Sequence, residues 1–276
     1  MLRRSAWSWR WGLNFRRALL YQALDAKDSS DDLRELQETG IIIRSSDEFL
    51  DAECRGHLAA IEAELPDHET VQGMQREILE SESPEQQRFK RFIRFEDVRA
   101  DCPPLQIAIS PRLLSLANGY LGMRSLLRVA QVWLDFPSNA PPTDTQLWHR
   151  DEDDYSTLKV FVYLTDVGES NGPFCFVPRS HPRDRDLAEL TGYRDQDEQM
   201  AACVPRAEWL TCTGKAGTII IADTRGYHRG LQPRTGHRAL LTLQYTSGRP
   251  TYPPRVRVRG SHPTSLSPAQ YAALHP

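Results

Sequence analysis

Two side chains of the types that bind metal ions, His149 and Asp151, stand two residues apart in the run QLWHRD. The sequence predicts a strand over 145–151, and residues two apart on a strand point to the same face. One imidazole and one carboxylate would then converge on a common point. By itself the H-x-D pattern is weak evidence, because about half of random chains of this size and composition would contain one. An ordinary surface or core histidine remains the alternative for His149.

A second histidine, His228, follows the apolar strand predicted over 217–222. It completes a metal site with His149 and Asp151 only if the strands fold back face to face, as they do in a jelly roll. Two histidines and one carboxylate on one side of a metal ion leave coordination positions open for other ligands. This set of side chains suits non-haem Fe(II) and oxygen chemistry.

Arg238 lies ten residues after His228 and begins the apolar run ALLTL. The planar guanidinium fork of an arginine in a barrel mouth suits a carboxylate bound through both oxygens. A dicarboxylate that chelates the metal at one end would need such a partner at its other end. Arg234 is the nearby competitor, but the turn QPRTG is expected to turn it to solvent. A surface arginine beside a turn is the alternative for Arg238.

The first ~120 residues are predicted to be mainly helical. A short helix begins after Ser30 and is stopped by Gly40. Ser45 and Glu48 can form a capping box for a helix that carries apolar residues at three- and four-residue steps through Leu65. A further helix begins at the pair Ser110-Pro111, with the proline in its first turn.

From about residue 125 the apolar pattern changes to the period of two that is typical of strands. Strands are predicted over 126–136, 145–151, 158–165, 173–177, 217–222 and 239–247. Strand 158–165 could carry Lys159 inward with Phe161 and Tyr163, or outward at an edge. Many short strands without alternating helices favour an antiparallel barrel or jelly roll.

We therefore expect a mainly β protein with a helical N-terminal part and a double-stranded β-helix core of the jelly-roll or cupin-like type. The whole chain, 1–276, is interpreted as a single catalytic domain. Residues 1–124 would form the helical support and substrate side, 125–250 the β core, and 251–276 a proline-rich surface tail.

The composition excludes several classes of protein. A net charge of −3 over 276 residues gives no support for a nucleic-acid partner. No apolar run is long enough for a spanning helix. The five cysteines are odd in number and form no C-x-x-C pair, which argues against a disulfide framework and fits the reducing cytoplasm.

The basic segment 1–21, MLRRSAWSWRWGLNFRRALLY, has no uninterrupted apolar region of the kind found in signal peptides. We favour a helix that packs on its own domain. Two alternatives stay open: a mitochondrial transit peptide, and an amphipathic helix that associates weakly with a membrane surface.

Two segments, 146–181 and 216–245, resemble the phytanoyl-CoA dioxygenase family of Fe(II)/2-oxoglutarate oxygenases. The first reads QLWHRDEDDYSTLKVFVYLTDVGESNGPFCFVPRSH, and the second reads AGTIIIADTRGYHRGLQPRTGHRALLTLQY. The resemblance rests on an ordered set of motifs: H-R-D, a strand, N-G-P-F, R-S-H, D-T-R-G-x-H-R-G and then Arg238. It implies the double-stranded β-helix fold.

The resemblance also implies roles for single residues. His149, Asp151 and His228 would hold the iron and form the catalytic centre. Arg238 would bind the distal carboxylate of 2-oxoglutarate, although nine residues separate it from His228 where ten are common in the family.

Four further positions are implied as cosubstrate contacts. Gln146 and Gln131 match places where family members contact 2-oxoglutarate. Thr165 ends the strand after H-R-D and would line the pocket, and Arg94 lies near the place of an upstream basic residue.

The sequence thus predicts an Fe(II)- and 2-oxoglutarate-dependent dioxygenase that uses O2 to hydroxylate an unactivated C–H bond of a small or lipid-like organic substrate. Succinate and CO2 would be the coproducts. The alternatives are a metal-dependent cupin-type enzyme that does not use 2-oxoglutarate, and a non-catalytic jelly-roll binding protein. The expected partner is a small-molecule substrate, and neither the oligomeric state nor the identity of that substrate follows from the sequence.

Overall fold

The structure is a computed structural model that describes residues 30–80, 90–95, 97–138, 141–154, 156–181, 190, 193–247, 250–259 and 266–275. The basic segment 1–21, for which a packing helix was predicted, lies outside the described residues. No helix within the described part of the chain is long and apolar enough to cross a membrane.

Helices dominate the chain before the β core, as the sequence predicts. Ser30 caps the first helix by accepting a hydrogen bond from the Leu33 N–H, and Gly40 ends it in a left-handed conformation at φ +80°. In chain order, the helices are α1 Asp31–Thr39, α2 Ser46–Phe49, α3 Ala52–Ala63, α4 His68–Glu80, α5 Pro103–Ala108 and α6 Pro111–Leu121.

The prediction of one helix running from the Ser45 cap to Leu65 is wrong. Leu50 is extended, at φ −95° and ψ 142°, and separates α2 from α3. Asp51 then caps α3 by accepting a hydrogen bond from the Cys54 N–H at 2.8 Å. The apolar periodicity ran across this break because Phe49 and Leu50 both face the core.

Within the described residues, six strands form one large antiparallel sheet in the order β1-β8-β5-β10-β4-β2. Their bounds are β1 Ile41–Ser45, β2 Lys90–Arg94, β4 Leu126–Asp135, β5 Thr157–Tyr163, β8 Thr218–Ala222 and β10 Arg238–Thr246. β1 and β2 come from the part of the chain that was predicted to be mainly helical. The run Ile41-Ile42-Ile43 was the signal for β1, since consecutive β-branched residues favour strands.

A smaller antiparallel sheet faces the large one, and its order is β7-β6-β9. It consists of β6 Phe174–Phe176, β7 Leu210–Cys212 and β9 His228–Gly230. The two sheets enclose a core that includes Phe161, Tyr163, Phe174, Phe176 and Leu240. This arrangement is the predicted double-stranded β-helix.

The strand predicted over 145–151 is wrong in its first half. A 3₁₀ turn covers Asp144–Gln146, and only Trp148 and His149 then form single bridges, to Asp195 and His228. The chain passes the smaller sheet as an irregular segment instead of adding a regular strand to it.

The larger apolar core lies between the other face of the large sheet and the helices. The remaining described elements are α7 Asp197–Cys203, the parallel pair β3 Asp97–Val98 with β11 Arg257–Val258, and α8 Pro268–Leu274. Part of the predicted surface tail contributes to this core, since Ala273 and Leu274 of α8 are buried in it.

Candidate metal centre and cosubstrate site

The backbone brings the two histidines side by side. His149 and His228 exchange both backbone hydrogen bonds, each with an N···O distance of 3.0 Å, so their rings lie 4.2 Å apart between centroids. Asp151 lies two residues after His149, and its N–H donates to the Thr224 carbonyl at 2.8 Å. The pair two residues apart and the distant histidine therefore meet, as the sequence predicted.

Hydrogen bonds fix which ring nitrogen of each histidine faces the cavity. The Nδ1–H of His149 donates to the Leu147 carbonyl at 2.8 Å, and the Nδ1–H of His228 donates to the Gly226 carbonyl at 2.9 Å. A carbonyl can only accept, so each Nδ1 carries the proton and each Nε2 keeps its lone pair. Backbone carbonyls orient metal-binding histidines in this way in many metalloproteins.

The three donor atoms are close enough to share one ion. His149 Nε2 lies 3.9 Å from Asp151 Oδ1, and His228 Nε2 lies 3.7 Å from Asp151 Oδ2. Among the described residues, these three side chains form a cluster whose donor atoms lie within 4.8 Å of one another. Two imidazole nitrogens and one carboxylate are donor types that suit a divalent transition metal, so the donor set fits a metal ion.

Burial and neighbouring charges keep the three groups in the protonation states that bind metal. Burial, followed by the proximity of His149, lowers the pKa of His228 to about 3, so this imidazole is neutral near pH 7. Burial alone would raise the pKa of Asp151, but the Lys159 ammonium and then the two histidines hold it well below its usual range. Asp151 is therefore a carboxylate.

Lys159 points inward, which settles the direction that the sequence left open. Its Nζ lies 2.6 Å from Asp151 Oδ2 and 3.9 Å from Asp153 Oδ2. The contact with Asp151 is a close, charge-assisted ion pair. Lys159 is thus a cation in the wall of the site. The sequence did not assign this residue to the site.

We expect Lys159→Met to make metal affinity fall more steeply as the pH is lowered. The ammonium offsets the effect of burial on Asp151, so its removal should raise the pKa of this carboxyl. Protons would then compete with the metal at higher pH. The measurement is the divalent-metal dissociation constant at about pH 8 and about pH 5.5, on either side of the usual histidine pKa. Lys159→Arg keeps the charge and is the control. An unchanged pH dependence in Lys159→Met would contradict the assignment.

The metal cluster lies on a cavity of about 270 Å³ between the two sheets. The inward side chains of neighbouring strands form its wall in rows, because β10 pairs with both β5 and β4. These rows are Tyr163–Leu240–Trp133, Phe161–Thr242–Gln131 and Lys159–Gln244–Val129. In the middle row, Thr242 Oγ1 is buried and has no protein partner, which fits a ligand that brings its own polar atom.

Arg238 occupies one end of these rows and is buried. Its Nε and Nη2 both donate to Asp135 Oδ2, the former at 3.1 Å, and its Nη1 donates to the Gly172 carbonyl. An arginine has five N–H donors, so two remain for a ligand in the cavity. Gly230 allows this placement, because a Cβ there would lie 3.3 Å from Arg238 Nη2.

Arg234, the competing arginine, is exposed in the turn before β10. It is not among the residues that line this cavity. Arg238 is therefore the arginine of this segment that the fold brings to the site.

Gly172, in the N-G-P-F motif, explains why this motif accompanies Arg238. Its φ is +75°, and a Cβ would lie 2.4 Å from the Leu231 carbonyl oxygen. We expect Gly172→Ala to cost about 1–3 kcal/mol of folding free energy and to weaken 2-oxoglutarate binding by moving the carbonyl that holds Arg238. Chemical denaturation and a 2-oxoglutarate titration would measure the two effects.

The control is Gly168→Ala, since a Cβ at Gly168 meets only Asn171 Oδ1, at 3.4 Å. Equal behaviour of the two alanine variants would contradict this role of Gly172.

Of the four further cosubstrate contacts implied by the resemblance, the structure places Gln131 in the cavity wall. It does not bring Gln146 or Thr165 there. Gln146 Oε1 accepts a hydrogen bond from the Thr143 N–H at 3.1 Å, and Thr165 Oγ1 accepts one from the Ala239 N–H at 3.0 Å. Arg94 pairs with Gln131 through its backbone, but its side chain lies outside the described part of the molecule.

A comparison with models of protein families identifies the chain. The model of phytanoyl-CoA dioxygenase (PhyH) matches residues 37–239. The chain belongs to the phytanoyl-CoA dioxygenase family. It is therefore a 2-oxoglutarate-dependent non-haem iron oxygenase, and Fe(II), 2-oxoglutarate and O2 are its cofactor and cosubstrates.

Solved structures show the same fold at low sequence identity. AviO1 from Streptomyces viridochromogenes Tue57 has a TM-score of 0.54 and 18% identity, with 83% of this chain and 99% of that chain covered. EctD from S. alaskensis with bound Fe has a TM-score of 0.54 and 20% identity, with coverages of 92% and 88%.

HygX from Streptomyces hygroscopicus, with nickel and 2-oxoglutarate bound, has a TM-score of 0.51 and 17% identity, with coverages of 85% and 95%. No curated protein matches the sequence.

Proposed function

We propose that this member of the phytanoyl-CoA dioxygenase family hydroxylates an unactivated C–H bond of a small or lipid-like organic molecule. The observation that carries the proposal is the placement of His149, Asp151 and His228 on a largely apolar cavity with Arg238 at one end. The reaction balances as substrate C–H, O2 and 2-oxoglutarate giving C–OH, succinate and CO2, with one oxygen atom of O2 in each of the alcohol and succinate.

His149, Asp151 and His228 would hold Fe(II) through two Nε2 atoms and one carboxylate. The bound iron would activate O2, which is the oxidant, and 2-oxoglutarate would supply two of the four electrons that O2 accepts. The protein would position the substrate and 2-oxoglutarate at the metal and exclude water from the site. Arg238 would bind the distal carboxylate of 2-oxoglutarate through its remaining N–H groups, and the HygX complex, which contains nickel and 2-oxoglutarate, supports the use of a common metal and cosubstrate pocket.

The aromatic wall would exclude water from the reacting C–H bond. Phe161 and Phe174 lie 4.9 Å apart between ring centroids, and Phe174 lies 5.6 Å from the ring of His228. An apolar wall at the metal favours binding of a carbon skeleton over water. Gln131 and Thr242, in the adjoining row, offer polar atoms that could fix the orientation of a ligand.

We also propose a reducing compartment, the cytoplasm, for this protein. All five cysteines are free thiols in the fold, and burial raises the pKa of Cys54 to about 11 and that of Cys212 further. Such thiols are packed and unreactive, as expected where disulfides do not form.

The test is oxygen- and 2-oxoglutarate-dependent turnover under ¹⁸O2 with a library of small organic compounds. We expect stoichiometric succinate and a product that has gained one ¹⁸O atom. Turnover without O2 or 2-oxoglutarate, with zinc as the active metal, would instead support a cupin-type enzyme. A protein that binds neither iron nor 2-oxoglutarate would be a non-catalytic jelly-roll binding protein.

A further inference from the structure

A second, outer cavity adjoins the metal cavity at the end away from Arg238. Its volume is about 540 Å³, and it shares Arg128, Asp153 and Arg255 with the inner cavity. The rest of its wall is Arg257 and the segment Tyr252, Pro253 and Pro254. A ligand can therefore extend from the metal centre into the outer cavity past two arginines.

A β-bulge turns Arg128 toward this passage. In the pairing of β10 with β4, Gln244 lies opposite Val129 but the next residue, Tyr245, lies opposite Leu127. Arg128 is thus the extra residue of the bulge, and it lines the same cavity as Val129 instead of the opposite face. Bulges re-aim single side chains in this way and are frequent beside functional sites.

The guanidinium of Arg128 is buried and firmly held. Its Nη1 donates to Gln244 Oε1 at 2.8 Å, and its Nε donates to the Tyr252 carbonyl at 3.3 Å. Only 5% of the residue is exposed. A buried arginine costs desolvation energy, so this placement needs compensating charge or ligand.

The charges around Arg128 do not balance. Asp153 lies 3.4 Å from Arg128 Nη1 and also 3.9 Å from Lys159 Nζ, so one carboxylate serves two cations. Arg255 adds a third positive charge, and no described carboxylate lies within ion-pair distance of it. Asp151, the partner of Lys159, would coordinate the metal, so its negative charge would not neutralise the passage. The passage therefore has an excess of positive charge.

The arginines at the two ends of the cavity lie far apart along β10. Arg238 is opposite Asp135, whereas Arg128 is held beside Gln244, six residues further along β10. Six strand residues span about 20 Å, while the four C–C bonds of 2-oxoglutarate, about 1.5 Å each, span ~6 Å. A 2-oxoglutarate molecule bound at Arg238 leaves Arg128 and Arg255 available for another anion.

The inner cavity is also small. Its volume lies below the roughly 300–1,000 Å³ of ordinary small-molecule sites, and 2-oxoglutarate would take part of it. A substrate with its reacting carbon beside the metal must place its remaining atoms toward the outer cavity.

We propose that the substrate is an organic anion whose carboxylate or phosphate is bound by Arg128 and Arg255, with the C–H bond to be oxidised inside the inner cavity. This inference rests on the proposed function, because it assigns Arg238 and the metal to 2-oxoglutarate. Arg128 supplies a preorganised fork, and Arg255 supplies an accessible charge at the entrance.

The experiment uses the full chain loaded with 2-oxoglutarate and with Zn(II) in place of Fe(II). The arginine Nε–H resonances are followed by NMR during titrations with acetate, inorganic phosphate and neutral acetamide at constant ionic strength. We expect saturable shifts with at least one anion and none with acetamide. A preference for acetate would indicate a carboxylate substrate, and a preference for phosphate would indicate a phosphorylated one.

Arg128→Gln and Arg255→Gln should each weaken this anion binding by at least roughly tenfold, the value of one charged hydrogen bond. Arg255 is exposed, so Arg255→Gln is expected to fold like the unchanged protein. Arg76→Gln, which removes an exposed charge on α4, should leave anion binding unchanged.

Three outcomes would overturn the inference. The first is the absence of saturable anion binding, and the second is anion binding that survives both substitutions. The third is loss, in Arg128→Gln, of the visible charge-transfer absorption band of the Fe(II)–2-oxoglutarate complex, which would mean that Arg128 binds the cosubstrate. Failure of the proposed function has a separate signature, because the unchanged protein would then lack that band whether or not it binds anions.

Discussion

Replacing His149 with alanine is expected to lower Fe(II) affinity by more than about 100-fold and to abolish succinate formation. Loss of a residue that only orients a metal ligand typically costs 10–100-fold in affinity, and His149 would be a ligand itself. Its Nε2 lies 3.9 Å from Asp151 Oδ1, and its ring orientation is fixed by the Leu147 carbonyl. Nothing else in the described cluster offers a replacement nitrogen.

Equilibrium dialysis with Fe(II) under anaerobic conditions measures the affinity, and a succinate assay measures turnover. His237→Ala is the matched control, because His237 stacks on Phe136 at 6.1 Å between centroids and does not line the cavity. If His149→Ala, like His237→Ala, bound iron with unchanged affinity and still formed succinate, the metal assignment would be wrong.

Replacing Arg238 with methionine should raise the dissociation constant for 2-oxoglutarate by roughly 10- to 100-fold, the loss expected for hydrogen bonds to a charged group. The same change should destabilise the fold. Asp135, only 1% exposed at its side chain, would lose the guanidinium that neutralises it. Removing one partner of a buried ion pair costs about 3–5 kcal/mol.

The double variant Asp135→Asn with Arg238→Met separates these two effects. It removes the buried carboxylate together with its partner, so most of the lost folding free energy should return. Binding of 2-oxoglutarate should not return, because the donor is still missing. Calorimetric or spectroscopic titration with 2-oxoglutarate and denaturant unfolding of the same samples provide both measurements.

Recovery of 2-oxoglutarate affinity in the double variant would show that Arg238→Met acted only through stability. The role of Arg238 as the cosubstrate arginine would then be abandoned.

The metal cluster was predictable because its three residues lie in motifs of fixed order along the chain. His149 and Asp151 are two residues apart, and His228 follows an apolar strand within a motif of fixed order. The surrounding strand was predicted incorrectly, yet the cluster formed, because the single bridge between His149 and His228 places the rings without a regular strand. The spacing of His149 and Asp151 was weak evidence by itself, and the ordered family motifs joined His228 to them.

The partners of the site residues were not predictable, because they come from pairings between distant strands. Asp135 lies opposite Arg238 only through the register of β4 with β10. Lys159 points inward only because β5 lies between β8 and β10. Arg128 faces the cavity because of a bulge, and one extra residue reverses the face that a period of two predicts.

The fold class followed from the change of period near residue 125, but two strands in the helical part were missed. β1 and β2 lie at the two edges of the large sheet, and a helix precedes each of them in the chain. β1 has only three consecutive apolar residues, and β2, which reads KRFIR, has only two, so neither run is long enough for periodicity to separate a strand from a helix. Pairing partners that follow much later in the chain, such as β8 for β1, decide their conformation.

The most direct test of the account is an anaerobic titration of the metal-free protein with Fe(II) and 2-oxoglutarate, followed by visible absorption. We predict a weak metal-to-ligand charge-transfer band that requires both additions, is absent in His149→Ala and is weakened in the Asp135→Asn, Arg238→Met double variant. A protein that binds Fe(II) tightly but develops no band with 2-oxoglutarate would contradict the assignment of this cavity as the cosubstrate site.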